Sequence, residues 1–570
     1  MQEDELSSGI RINLDDFTPA MTKRLNEIYR ELISDYTRMV DTVTEKFLSE
    51  FYWPFTAFTS RNVNLSSSLC EISRVVLCLE ILKGNKTVNE IQTSSKSIYK
   101  VLNRYVRENF NANPVKISLR MEQCRLRLIR NELSAFLSVL FFLKEQLSYK
   151  KHIMEYFNEG YGAANLKGKV LRFLQTDIFS KNLESSDFEL RDFKGIAELS
   201  DVDFYVFPYL FINTKMTNRE FIRRLAAVKK YKFVFREQFL CIYDYLKIFS
   251  FRTWCRGFRL RKLMFHGIDI SPIVQADIRS CMNSTNCFYG LLDYICMKRM
   301  AKADLRIGKI VGWYEGQPSS LGMFYGYRKF FPNGKSLGYV GYPMDETMFH
   351  LAPSKAEVES CLGPEFLGVI SPLSKDFLTY FGKMDSLEVP CFRMRNPGRI
   401  LPEKLHNEKV LLVTLPYLID ECNFILGLLE KCEDVFISHR IKVLFKNHPV
   451  HADFNLANYS SSFFSFEFSF VSGSIYDVID DTDMLLSATS GSVYEAAMYG
   501  KKVMVAVCPK HIYQTYLPKS WNRIGYNLIF DEDDLIDTMT SFEDTLPHNL
   551  NFSSLRLYQP DAKNVHDLLT

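Results

Sequence analysis

Blocks of apolar residues alternate with polar segments through the carboxyl-terminal part of the chain. KVLLVTLPY, from Lys409, is the β-branched and leucine-rich run typical of a buried strand, and the ECNFILGLLEKC that follows has apolar residues at helical spacing. The alternation continues through IKVLFKNHP, FSFEFSFV, DMLLSAT, SVYEAAMYG with its terminal Gly500, KKVMVAV, YNLIF and the acidic helix start DEDDLIDTMTSF. This order predicts a parallel, doubly wound sheet, which we place at residues 386–545.

The first 385 residues have a less regular pattern. MTKRLNEIYRELISDYTRMVDTVTEKFLSEFY is predicted to be helical, and four apolar runs are predicted to be strands: VVLCLEILKG, KVLRFLQTDIF, DVDFYVFPYLFI and RIGKIVGWYEGQ. We therefore predict an α/β domain with helical insertions at residues 1–385, and a tail at 546–570 that returns to it as a helix. The predicted fold class is α/β, with two Rossmann-like domains that face a cleft.

Composition and charge restrict the classes of function. The chain has 570 residues, of which 47% are hydrophobic, so it can bury a large core. Its 70 basic residues nearly balance 67 acidic ones, and we expect no nucleic-acid partner. The thirteen cysteines form no CxxC pair, and MQEDELSSG has no apolar signal core, so we expect a reducing, cytoplasmic setting. The apolar run from Leu133 to Leu143 is too short to cross a bilayer.

Two polar clusters close apolar runs of the predicted carboxyl-terminal sheet. Because ligands bind outside the carboxyl ends of parallel strands, we predict that the clusters share one phosphate site. In the first, Lys446 supplies a charge, His448 a ring N–H, and Pro449 the turn that directs them. The second offers hydroxyl groups and the amino end of a helix through Ser487, Thr489, Ser490, Gly491 and Ser492.

A purely structural interpretation of these residues stays open. His448 can be an ordinary turn residue. Ser492 to Glu495 spells S-x-x-E, and a capping box would explain both residues by helix termination. Glu495 is alternatively placed to hold a ribose. The order of the two clusters on strand ends of one domain favours the phosphate site.

A family resemblance rests on the pairing of KNHP with SATSGSVYEAAMYGKKVMV. It resembles the HP and Ser/Ser-Thr motifs of bacterial GT-B glycosyltransferases of surface polysaccharide (capsule and O-antigen) biosynthesis, including sialyltransferase-like and Kdo-transferase-like enzymes, and of the CDP-glycerol glycerophosphotransferases. In those families the motifs bind the donor nucleotide's phosphate. The resemblance covers about 160 residues, and WYEGQPSSLGMFYGYRKFFPNGKSLGYVGYP is similar to a first-domain cleft segment of such enzymes. Gly491 splits the serine pair, which departs from the family pattern.

The resemblance implies a metal-independent transferase that moves a sugar from a nucleotide-activated donor to a glycan or lipid-linked acceptor. Such a reaction needs a group that takes the acceptor's proton. Glu315 follows the apolar run IVGWY, so we expect it at a strand end that faces the cleft, although it can also be an ordinary loop carboxylate. Asp201 and Asp203 are reserve candidates. The acceptor-side candidates are Arg61, Trp313 and Gln317.

No cofactor or metal is expected beyond the nucleotide-sugar co-substrate, since DTD at Asp481–Asp483 falls between a helix and a strand. Two other functions stay open: a CDP-alcohol phosphotransferase of the same fold, and a non-catalytic nucleotide-sugar binding protein. RLRLIRNELSAFLSVLFFLK and FRTWCRGFRLRKLMF combine basic and apolar residues. They predict either a peripheral contact with the anionic inner-membrane surface or core helices with a solvated basic face.

Overall fold

The computed structural model describes residues 10–85, 88–109, 115–120, 125–161, 163–183, 188–212, 216–381, 384–394, 409–448, 464–509, 511–517, 519, 525–541 and 556–570. In these ranges the strands are β1 Ile10–Asn13, β2 Val88–Thr93, β3 Lys116–Leu119, β4 Val170–Phe179, β5 Tyr205–Phe211, β6 Met264–Phe265, β7 Ile268–Asp269, β8 Arg306–Trp313, β9 Lys335–Val340, β10 Phe366–Val369, β11 Ser386–Glu388, β12 Lys409–Thr414, β13 Ile441–Lys446, β14 Phe468–Phe470, β15 Met484–Ser487, β16 Lys502–Ala506 and β17 Tyr526–Ile529.

The helices connect these strands and cover the faces of the sheets. They are α1 Pro19–Phe47, α2 Ala57–Ser60, α3 Ser68–Gly84, α4 Lys96–Asn109, α5 Arg125–Tyr161, α6 Ala163–Leu166, α7 Ile196–Leu199, α8 Asn218–Ala227, α9 Ile242–Gly257, α10 Ser271–Ser280, α11 Thr285–Lys302, α12 Pro318–Phe330, α13 Lys355–Glu359, α14 Pro372–Phe381, α15 Ile419–Lys431, α16 Glu433–Ser438, α17 Ser492–Met498, α18 Glu532–Thr540 and α19 Ala562–Leu569.

Two parallel sheets dominate the described part of the chain. The N-terminal sheet has the strand order β11-β10-β9-β8-β4-β5, and the C-terminal sheet has the order β14-β13-β12-β15-β16-β17. Every strand pair within them is parallel, as expected for strands joined by helices. The predicted fold class, α/β with two Rossmann-like domains, is confirmed.

In each sheet, successive strands are added on one side of the first strand and then, after a switch point, on its other side. In the N-terminal sheet β4 is followed by β5 on one side, and the chain then returns to β8 on the other side. In the C-terminal sheet β12 leads to β13 and β14, and the chain returns to β15 beside β12. Connections diverge at such a switch point and leave a crevice at the carboxyl ends of the strands, where open α/β sheets bind ligands.

A third, smaller unit precedes the N-terminal sheet in the chain. Strands β1, β2 and β3 form a parallel sheet that was not predicted, and α1, α3, α4 and α10 share a hydrophobic core with it. The prediction of a strand at VVLCLEILKG is wrong, because this run lies within α3. Its Val75, Cys78, Leu79 and Leu82 are buried between neighbouring helices.

The boundary between the two main sheets lies later in the chain than predicted. Strand β11 is the edge of the N-terminal sheet, so the change from one sheet to the next falls between Glu388 and Lys409, later than residue 386. The C-terminal helix α19 packs against β8, and Lys309 Nζ donates to the carbonyl of Asp567 at 3.1 Å. The chain therefore ends on the N-terminal sheet. Among the described helices, none combines the length with the apolar composition that crossing a bilayer requires.

Candidate functional site

A pocket of about 280 Å³ opens at the switch point of the N-terminal sheet, and we call it the β4–β8 pocket. Strand β8 ends at Trp313, and the following turn contains Gly316 at φ +56°. A Cβ atom on Gly316 would lie 2.2 Å from the carbonyl oxygen of His350, so the close approach as well as the φ angle requires glycine. This turn directs the predicted residues into the pocket, whose lining includes Asp177, Tyr209, Tyr289, Trp313, Glu315 and Gln317.

The carboxylate of Glu315 is held by donors on both oxygens. Trp313 Nε1 donates to Oε1 at 2.8 Å, and Gln317 Nε2 donates to Oε2. Asn286 Nδ2 donates to Gln317 Oε1, which fixes the orientation of that amide. Burial raises the pKa of Glu315, while the hydrogen bond from Trp313 and the charge of Arg393 oppose the rise. The three residues predicted from WYEGQ thus form one connected polar group.

A second carboxylate, Asp177, lines the same pocket and was not identified in the sequence. It lies in β4, one strand away from Glu315. Burial, together with the charges of Asp192 and Glu315, raises the pKa of Asp177 well above its usual range. Asp192 is itself buried and accepts a hydrogen bond from Thr176 Oγ1 at 3.1 Å. The only sequence signal was an acidic residue near the end of the predicted strand KVLRFLQTDIF.

Arg393 lies between the two halves of the molecule, on the segment after β11. Its guanidinium is 5.2 Å from the centroid of the Trp313 ring and 3.9 Å from Asp192 Oδ1. Its charge lowers the pKa of both Glu315 and Glu495, against the larger effect of burial. Because Glu495 belongs to α17 of the C-terminal domain, Arg393 interacts electrostatically with both walls of one cleft.

The predicted hydroxyl cluster lies at the switch point of the C-terminal sheet. Ser492 Oγ is 2.7 Å from Thr414 Oγ1 and 2.8 Å from Ser490 Oγ. Ser487 is buried and its Oγ donates to the carbonyl of Thr414 at 2.8 Å, so it serves the sheet. Thr489 Oγ1 donates to Glu421 at 3.4 Å. Ser490 and Ser492 are therefore the predicted hydroxyls that lie together at this crevice.

Gly491 and Glu495 connect this cluster to the cleft. Gly491 has φ −63°, and a Cβ atom there would lie 3.5 Å from the terminal methyl of Met394. The capping-box interpretation is wrong, because Gly491 is the N-cap of α17 and Glu495 Oε1 instead accepts a hydrogen bond from Tyr476 OH. Burial raises the pKa of Glu495. Helix termination therefore does not account for Glu495.

Lys446 and His448 lie on the next strand, at the end of β13. Lys446 Nζ donates to the carbonyl of Gly473, and burial lowers its pKa, while Asp477 and Glu495 oppose this effect. The ring of His448 meets the ring of Tyr417 edge-on, at 5.7 Å between centroids. The predicted Pro449 lies outside the described residues.

Three other predicted residues are not brought to the pocket. Arg61 is fully buried, paired with Glu357, and donates to the carbonyl of Ala352 at 2.9 Å. Asp201 pairs with His566 at 2.8 Å and Asp203 with Lys232 at 2.8 Å, before the amino end of β5. The neighbour of Arg61 does reach the site, because Asn62 Nδ2 donates to the Glu315 carbonyl at 2.8 Å.

Comparisons with known proteins give a weak likeness. No protein-family model and no curated protein sequence matches the chain. Solved structures that resemble it include S. aureus MnaA with UDP (8% identity, TM-score 0.37, 70% of this chain and 94% of that chain) and the UDP-GlcNAc 2-epimerase of Methanocaldococcus jannaschii (10%, 0.37, 69% and 97%). The glycosyltransferase of kitacinnamycin has 13% identity and a TM-score of 0.38, over 70% of this chain and 96% of that chain. With TM-scores below 0.5, these likenesses carry no argument about activity.

Proposed function

We propose that the protein is a glycosyltransferase that moves a sugar from a nucleotide-activated donor to a glycan or lipid-linked acceptor. The observation that supports this is the position of the two polar groups. The β4–β8 pocket and the hydroxyl cluster each lie at a switch point, and Arg393 interacts with a carboxylate of each. A two-substrate reaction needs both reactants held together in the right orientation, which two sites on one cleft can provide.

In the proposed reaction the donor's phosphate binds near Lys446, His448, Ser490 and Ser492, and the acceptor hydroxyl enters the β4–β8 pocket. The acceptor oxygen forms a bond to the anomeric carbon as the bond from that carbon to the phosphate oxygen breaks. The electron pair leaves with the nucleotide, whose negative charge Lys446 stabilises. The proton of the acceptor passes to the carboxylate of Glu315, which the hydrogen bonds from Trp313 and Gln317 hold in place. No metal ion or cofactor is part of this proposal.

The proposal is tested first by nucleotide binding. We expect one member of a panel of CMP, CDP, UDP and GDP to raise the free energy of unfolding by about 2.7 kcal/mol at a hundredfold excess over its dissociation constant, because it binds only the folded state. Thermal shift measures this effect. If no nucleotide of the panel shifts the unfolding transition at millimolar concentration, the proposed function fails.

Glu315→Gln then separates an enzyme from a nucleotide-sugar binding protein. The variant keeps the size of the side chain but cannot take a proton, so release of nucleotide from the donor sugar nucleotide should fall by about 10² to 10⁴ with donor affinity unchanged. In the wild type, turnover should also fall as the pH drops through the raised pKa of Glu315. Glu365→Gln is the matched control, since Glu365 is exposed at the amino end of β10. Equal losses of binding and turnover would assign Glu315 to the nucleotide site or to the fold.

A further inference from the structure

Exposed apolar side chains are concentrated on two helices of the N-terminal domain. Of the nineteen large hydrophobic residues that are exposed among those described, nine lie on α5 or α9. Phe141 is 66% exposed and Tyr243 is 73% exposed. We call this surface the α5–α9 face and define it by Phe136, Leu137, Leu140, Phe141, Ile242, Tyr243 and Leu246. Apolar surface of this extent marks an interaction site more often than a simple solvated face.

The two helices lie side by side and run in opposite directions. Near the carboxyl end of α5, Lys150 Nζ donates to the carbonyls of Glu237 and Leu240, just before α9 begins. Further back along α5, the ring centroid of Phe136 lies 6.3 Å from that of Phe249, in the middle of α9. Both helices pack on Phe288 of α11, through Phe142 at 5.5 Å and Phe251 at 6.2 Å between ring centroids. The exposed apolar side chains therefore lie on adjacent helices, both of which α11 supports.

A basic pocket adjoins this face. It has a volume of about 210 Å³ and is lined by Phe51, Tyr294, Lys247, Lys298, Arg299 and Lys302. Asp244 pairs with Arg299 at 2.9 Å, so the net charge of the pocket comes from its three lysines. No ion pair to Lys247, Lys298 or Lys302 occurs within the described ranges. The pocket is therefore positively charged beside exposed apolar residues.

We propose that the α5–α9 face and this basic pocket bind the surface of an anionic phospholipid bilayer. The apolar side chains insert between the headgroups, and the lysines contact the lipid phosphates. Stable attachment needs both the apolar insertion and the lysine contacts, because neither a few apolar side chains nor a few lysines alone hold a protein on a membrane. Charge complementarity with an anionic surface favours this occupant over another apolar protein face.

Helix α11 connects this surface to the β4–β8 pocket. Helix α11 begins with Thr285 and Asn286, which line the β4–β8 pocket, and its second half carries Lys298 and Lys302. Gln146 Nε2 of α5 donates to Tyr289 OH, which also lines the β4–β8 pocket. A membrane bound here lies about 18 to 24 Å from the pocket along the axis of α11, a separation that the glycan of a lipid-linked acceptor would bridge. That last point rests on the proposed function, whereas the membrane contact is measured without any substrate.

Vesicle flotation tests the contact with the full chain. The wild-type protein should float with vesicles of phosphatidylcholine containing 30% phosphatidylglycerol at low salt, and less with phosphatidylcholine alone. Lys298→Glu combined with Lys302→Glu should weaken the partition by at least about 25-fold, since each basic residue near an anionic surface contributes about fivefold. Phe141→Ser combined with Tyr243→Ser should weaken it by about tenfold or more. All four side chains are exposed, and circular dichroism melting should confirm that both variants remain folded.

Two variants on other surfaces serve as matched controls. Ile437→Ser, on α16, removes an exposed apolar side chain, and Lys563→Glu, on α19, reverses an exposed charge. Both should float like the wild type. Wild-type protein that stays unbound at low salt, or controls that lose as much binding as the test variants, would overturn the proposal. Sedimentation distinguishes a second copy as occupant: a wild-type dimer that Phe141→Ser with Tyr243→Ser converts to monomer would also overturn it.

Discussion

At the residue scale, the sequence feature that best predicts a site residue is a position at or directly after the end of a strand. Trp313 lies in the apolar run IVGWY, Glu315 and Gln317 follow it, and the structure brings all three into one pocket. The reserve candidates Asp201 and Asp203 precede β5, whereas carboxyl ends of parallel strands form the ligand crevice. Asp177 was missed because its role depends on β4 lying beside β8, a neighbour more than 100 residues later in the chain.

His448 allows a test of the C-terminal half of the site. His448→Ala should weaken nucleotide binding by about tenfold, the usual scale for a hydrogen bond to a charged group, with little change in the free energy of unfolding. The histidine is half-buried, contacts Tyr417 and is not part of the buried core. His439→Ala is the matched control, because His439 lies just before the amino end of the same strand, β13. Unchanged affinity in calorimetry would remove His448 from the site.

At the element scale, the alternation of strands and helices predicted the C-terminal sheet well and the small sheet poorly. Residues 409–414, 484–487 and 502–506 are mostly buried strands rich in β-branched residues or leucine, and 441–446 alternates buried with half-buried positions. Such runs are distinct in the sequence. Strands β1, β2 and β3 are four to six residues long and partly polar. Helix α3 was mistaken for a strand because contacts with several elements bury it on more than one side, which removes the helical period.

The contact between α10 and the start of α3 predicts a pH dependence of stability. Asp277 is buried, accepts a hydrogen bond from Ser68 Oγ at 2.7 Å and another from Ser66 Oγ, and its Oδ1 has no partner. Burial raises its pKa from 3.8 to about 6. Between pH 4 and pH 6 the folded state holds a proton that the unfolded state has lost, so the free energy of unfolding decreases as the pH rises through this window.

Asp277→Asn should remove that decrease, because an amide does not titrate. Between pH 4 and pH 7, the free energy of unfolding of the variant should rise by about 2 to 3 kcal/mol relative to that of the wild type, as a shift of two pKa units implies. Urea unfolding at several pH values measures the difference. Asp16→Asn, at an exposed carboxylate, should show no such gain. A constant difference between Asp277→Asn and the wild type across the range would contradict the raised pKa.

At the scale of the whole molecule, the cleft depends on a residue that the sequence analysis did not identify. Arg393 falls near the start of the predicted C-terminal domain, and no predicted motif includes it. In the structure Arg393 stacks on Trp313 of the N-terminal sheet, and Met394 lies close to Gly491 of the C-terminal domain. The guanidinium interacts electrostatically with Asp177, Asp192 and Glu315 of the N-terminal domain and with Glu495 of the C-terminal domain. Arg393 therefore offsets the mutual repulsion of acidic groups that come from distant parts of the chain.

Arg393→Gln tests this coupling through the pH dependence of stability. Without the guanidinium the pKa values of Glu315 and Glu495 should rise further, because a charge that now lowers both is lost. Carboxyl groups with raised pKa values destabilise the folded state above those values, so the loss in free energy of unfolding should be about 1 to 2 kcal/mol at pH 8 and smaller at pH 5. Arg306→Gln, at the exposed amino end of β8, removes the same charge away from the cleft and should show little change at either pH. Urea unfolding at the two pH values decides the question, since an equal loss at both would mean that Arg393 acts by packing on Trp313 and not by its charge.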